Sequence, residues 1–89
     1  MTPDRYWELV SPAVELVASK GQDYNSGVTL EQYFPFADKS YIQMVHLKAL
    51  RLVALAENPK PNFDSTKDTL LDLLNYTVFY LDYLEKRNA

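Results

Sequence analysis

Apolar residues recur at Leu70, Leu71, Leu74, Val78, Leu81 and Leu84, a spacing that predicts one long helix from Asp64 to Arg87. Asp64 or Ser65 is placed to cap its start, where a short side-chain oxygen can take orphan amide protons. Lys86 and Arg87 sit in its last turn, where cations suit the negative end of the dipole. A second periodic stretch, Tyr6, Leu9, Val10, Val14, Leu16 and Val17, follows the start signal Thr2-Pro3-Asp4. Pro12 interrupts it and predicts either a kink or a helix that restarts with Ser11 as cap; Lys20-Gly21 predicts its end. Ser40-Tyr41-Ile42-Gln43 reads as a capping box before a third helix that runs to about Glu57.

Between these lies a loop-rich middle, Gln22 to Lys39, dense in turn formers from Asp23 to Gly27. Thr29-Leu30-Glu31-Gln32 is a capping box over one short helical turn, which Pro35 stops. Tyr33, Phe34 and Phe36 are too apolar to stand in water together, so at least two of them are expected in the core. Asn58 to Asn62 holds two prolines in three residues and is a hard stop between the last two helices. No strand pattern or repeat is present. The chain therefore reads as all-α: three main helices plus one short helix, with a central antiparallel helical hairpin, in a single domain over 1–89.

The third helix is apolar nearly all round. Ile42, Val45, Ala49, Leu52 and Ala56 make one face, and Met44, Leu47, Leu50, Val53 and Leu55 spread over the rest. Such a helix must be sandwiched, and in a chain of 89 residues that predicts burial by a second subunit. With no cysteine, neither disulfides nor thiolate metal sites can help a small core. The 13% aromatic content, seven tyrosines among it, suits an interface or a ligand pocket. A net charge of −3 argues against direct DNA binding, which needs a basic footprint. No apolar run approaches the ~20 residues of a membrane span. The first residues, MTPDRYW, lack a signal-peptide core, so a cytoplasmic protein is expected.

Candidate chemistry gathers on the last two helices. Asp68, Asp72 and Asn75 fall within roughly 60° of one another on one helical face. Two carboxylates and an amide form an oxygen-rich patch of the kind that holds Mg²⁺. Lys48 and Arg51, three residues apart, are expected to face them across the hairpin. Plain interhelical salt bridges are one reading; the other is a shared site in which the acids hold metal and the cations hold phosphate. Lys20, Asp23 and Tyr24 form a second polar group, with Tyr24 offering a stacking surface for a base. His46, the one histidine, reads as a packed or surface imidazole. Two glycines leave no Gly-rich phosphate loop.

The series KGQDYN at 20–25, HLKALRLVAL at 46–55 and DSTKDTLLDLLNYTVFYL at 64–81 resembles the MazG-like all-α nucleotide pyrophosphatases. It is most similar to the short phage "nucleotide modification associated" branch, in which K-x-x-D-Y, K-x-x-R and D-T-x-x-D-x-x-N-Y follow in this order. Here the matching residues are Lys20, Asp23 and Tyr24; Lys48 and Arg51; and Asp68, Thr69, Asp72, Asn75 and Tyr76. The resemblance implies a nucleotide-binding protein that assembles as a homodimer or homotetramer, in the host cytoplasm if phage-encoded. Asp68 and Asp72 would hold Mg²⁺, while Lys48, Arg51, Asp23, Tyr24, Asn75 and Lys20 would hold the nucleotide. Members hydrolyse nucleoside triphosphates to the monophosphate and pyrophosphate, using E-x-x-E on one helix and E-x-x-D on the next. Here the middle helix has no acid between Tyr41 and Ala56. Two further readings follow: a catalytically inactive protein that sequesters a nucleotide or cyclic nucleotide, or a helical protein–protein adaptor.

Overall fold

The computed structural model describes residues 1–24, 29–60 and 62–88, the side chains of 20–24 excepted. Four helices follow one another among the described residues: α1 (Pro3–Tyr24), α2 (Leu30–Tyr33), α3 (Asp38–Ala56) and α4 (Phe63–Arg87). Among the described residues there is no strand, and no helix is long and apolar enough to cross a membrane.

The helix ends show which start signals act. Thr2 caps α1, its Oγ1 accepting from the Arg5 amide at 3.2 Å. The chain does not restart at Ser11. That hydroxyl donates to the Trp7 carbonyl instead, at 2.6 Å, and α1 runs unbroken through Pro12. Nor does Gly21 end the helix, whose backbone continues to Tyr24. Apolar residues on both sides of Pro12 line grooves shared with α4, and the packing of α1 on α4 outweighs the one amide donor the proline removes. The capping box at Thr29 forms as expected, with both reciprocal bonds to Gln32 in place.

The box expected at Ser40 does not form. Helix α3 starts at Asp38, and the buried Ser40 Oγ accepts from the Phe36 amide at 2.9 Å, bracing the turn before the helix. That turn forces Ala37 to φ 53°, ψ −129°, a region that crowds any Cβ. Ala37→Gly is therefore expected to stabilise the fold by about 1 kcal/mol, relief of strain exceeding the added chain entropy. A urea midpoint that falls would show that the turn carries no such strain. For α4 the cap is Asn62, not Asp64 or Ser65: its extended backbone lets Oδ1 take the Ser65 amide at 3.1 Å.

Helix α4 is the centre of the molecule, with α3 on one side and α1 on the other. The α3–α4 pair is an antiparallel hairpin, because partners that advance along α3 retreat along α4: Asp38 with Arg87, Tyr41 with Tyr80, Lys48 with Asp72. The Asp38–Arg87 ion pair, 2.8 Å, joins the positive start of α3 to the negative end of α4 and so suits both helix dipoles.

The hairpin core is aromatic. Tyr41 is 1% exposed and stacks on Phe34 and Tyr80, with centroids 4.6 and 5.4 Å away and Tyr83 at 5.2 Å. Of the three loop aromatics Phe34 stacks on Tyr41, while Tyr33 is half-exposed and Phe36 is 74% exposed. One turn of helix can turn a single ring inward, which is why the expectation of two was too high.

Burial lifts the Tyr41 phenol above its ordinary range, with the Glu31 carboxylate adding to the effect. Burial, and then the neighbouring Asp38 carboxylate, does the same to Tyr80. A raised phenol favours the folded state while protonated. That contribution is complete below the unfolded value near pH ~10 and is lost as pH rises through the folded values. Melting temperature is thus expected to hold from neutrality to about pH 10 and to fall as the phenols ionise. A decline starting near neutrality would remove the tyrosines as its cause.

Candidate functional site

Four residues from two motifs meet where α3 crosses the first half of α4. Lys48 Nζ pairs with Asp72 Oδ2 at 3.0 Å, both partly buried. One turn along, Arg51 Nε donates to Thr69 Oγ1 at 3.2 Å. The Thr69 hydroxyl in turn donates to the Ser65 carbonyl at 2.7 Å, so its lone pairs are left to face the guanidinium. Thr69 is buried, with 2% of its surface exposed, and holds Arg51 as a fixed acceptor. Its signal in the sequence was its place three residues before Asp72, which faces α3.

This arrangement orients the cations. The Arg51 bond uses Nε, so the terminal Nη pair is the fork available to a planar or tetrahedral oxyanion. The Lys48 ammonium has three donors, one of them on Asp72. Beside both cations lies a shallow depression on α3, about 490 Å³, floored by Met44, Leu47, Leu50 and Ala54. A charged rim over an apolar floor can take a phosphate-bearing ligand with a ring against the floor.

The acidic strip is divided between two neighbours. Asp72 turns to α3, while Asp68 is exposed and lines a separate groove with Glu15, Asp64 and Lys67. Asn75 turns to α1, where its Nδ2 donates to the Ala13 carbonyl at 3.2 Å. It does not join Lys48 and Arg51; it ties α1 to α4 at the point where the small, buried Ala13 allows close approach. Tyr76 packs edge-on against Phe34 and Phe79. His46 is exposed on α3. The side chains of Lys20, Asp23 and Tyr24 lie outside the described residues. Among the described residues no three His, Cys, Asp or Glu side chains converge as a metal-holding group.

Comparisons with protein-family profiles, with curated proteins and with solved structures return no match.

Proposed function

We propose that this chain is a MazG-like nucleotide-binding protein in which Lys48 and Arg51 hold the phosphates. The observation that supports it is the meeting of two sequence motifs in one contact set: Lys48 on Asp72 and Arg51 on Thr69. Bonds to α4 orient both cations, and pre-orientation cuts the ordering cost of binding an anion. The apolar floor beside them suits a base or sugar.

Mg²⁺ takes one or two carboxylates and fills its octahedron with waters and phosphate oxygens. Asp68 and Asp72 are the carboxylates that fit that role here. Asp72 is already held by an ammonium, and Asp68 faces another groove, so a metal has to displace the Lys48 contact to use both. Capture of a nucleotide without metal, and without hydrolysis, is accordingly the form of the proposal that the geometry favours.

Thermal-shift measurements with mono-, tri- and cyclic nucleotides, with Mg²⁺ or with chelator, test it. A ligand present at 100 times its dissociation constant adds about 2.7 kcal/mol to stability, a shift that is easy to detect. A shift in chelator with the nucleotide recovered intact supports capture. Release of pyrophosphate in Mg²⁺ assigns hydrolysis instead. No shift with any nucleotide removes the reading and leaves a helical protein–protein adaptor.

A further inference from the structure

The chain exposes 6858 Å², whereas a folded monomer of 10.3 kDa exposes about 5,400 Å². The surplus of roughly 1,500 Å² is what one subunit contributes to an obligate dimer interface. The radius of gyration agrees: 14.7 Å, against about 12 Å for a self-contained domain of this length. Among the described residues the fully buried apolar side chains are only Ala13 and Tyr41. A chain so built needs cover to persist as a fold.

The place for that cover is the groove between α1 and α4. It holds about 380 Å³ and is lined chiefly by Val10, Val14, Leu74, Val78 and Phe79, with no charged residue. Its wall also includes Tyr6 and Trp7, packed edge to face at 5.9 Å, with Trp7 64% exposed. Two copies related by a two-fold axis can lay this apolar wall of one on the same wall of the other, since an isologous interface brings one patch onto itself.

We infer that this α1–α4 face is covered by the same face of a second copy of the chain. A second copy is the partner always present at matching concentration, as an obligate interface requires. It also brings no charge into the groove, although each chain carries −3. The outer side of α3 is apolar as well, but its depression is rimmed by Lys48 and Arg51, so a second copy laid on itself there would bring cations against cations. The inference does not depend on the nucleotide reading, since particle mass and ligand binding are separate measurements.

Sedimentation equilibrium of the full chain tests it, with Trp7, the one tryptophan, as reporter. The wild type is expected at 20.6 kDa or a higher multiple of 10.3 kDa. Its Trp7 emission is expected to be that of a buried indole, moving to the exposed position on dilution as the particle dissociates. Val14→Glu buries a charge in the interface and is expected to weaken association by roughly 30-fold or more. Val14 is 60% exposed in the single chain, so helicity should survive; Val78→Lys is the second variant should Val14→Glu fail to fold. Val53→Glu, on the outer side of α3 and similarly exposed, is expected to leave the mass unchanged. A wild type at 10.3 kDa at every soluble concentration overturns the inference, whatever apolar ligand covers Trp7. So does a dimer with exposed Trp7 emission, or one that Val53→Glu breaks and Val14→Glu does not.

Discussion

Tyr41→Ala is expected to leave most of the chain unfolded at room temperature. Among the described residues Tyr41 is the largest side chain buried completely, and it contacts Phe34, just past α2, and two rings of α4 at once. Emptying such a site removes the transfer energy of the ring and leaves a cavity, a loss of about 3–5 kcal/mol. A domain of this length has roughly 4–13 kcal/mol in total, and one with only Ala13 and Tyr41 as buried apolar residues among those described lies at the low end, so the substitution consumes most or all of it. Phe34 loses its stacking partner as well and keeps only its edge contact with Tyr76 to hold α2 to the hairpin. Tyr41→Phe keeps the ring contacts and is expected to retain most of the stability. Urea unfolding followed by far-ultraviolet circular dichroism measures both. A Tyr41→Ala midpoint close to wild type would mean that the aromatic stack is not what holds α3 to α4.

The second large effect concerns the cations. Arg51→Ala is expected to weaken nucleotide binding by roughly 30-fold or more, the equivalent of about 2 kcal/mol for a lost charge-assisted fork. Lys48→Ala is expected to weaken it in the same direction. Asp72→Asn separates the two forms of the proposal by sign. If the nucleotide is captured without metal, Asp72 competes with phosphate for Lys48, and removing its charge should tighten binding several-fold. If Asp72 carries Mg²⁺, the same substitution should weaken binding in Mg²⁺ and abolish pyrophosphate release. The stability cost of breaking this partly exposed pair is small, about 1 kcal/mol, so folded protein is available for the comparison. Titration calorimetry in chelator and in Mg²⁺ gives the answer. Binding that survives loss of both Lys48 and Arg51 would move the site elsewhere.

Helix existence was legible because its causes are local. The reciprocal bonds of Thr29 and Gln32 span three residues, and the Thr2 cap is equally short-range. The Asn58–Asn62 stop needed only the two prolines between α3 and α4. Helix boundaries were less legible where packing competed with local signals. Pro12 and Gly21 are both breakers in isolation, yet α1 runs through them. Ser40 had the composition of a cap and was drawn instead to the Phe36 amide.

The candidate site divides in the same way. That Lys48 and Arg51 would face acids across a hairpin followed from periodicity and a short linker, and Lys48 does pair with Asp72. That Asn75 would turn to α1 did not follow, because the sequence gives no position for α1. Asp68 and Asp72 lie only about 40° apart on the helical wheel, close enough to read as one strip. Once α4 is flanked on two sides, that angle is enough to send one carboxylate to α3 and leave the other on the α1 groove.

By itself, then, the sequence determined the all-helical class, the four segments and the opposition of basic and acidic residues. These rest on hydrogen bonds and apolar spacing within one or two turns of chain. Only the tertiary structure decided that α4 is central, that Tyr41 and Thr69 are the buried anchors, and which side chain of α4 each cation meets. Those outcomes depend on the placement of helices distant in sequence, and no local pattern encodes the angle at which a neighbour arrives.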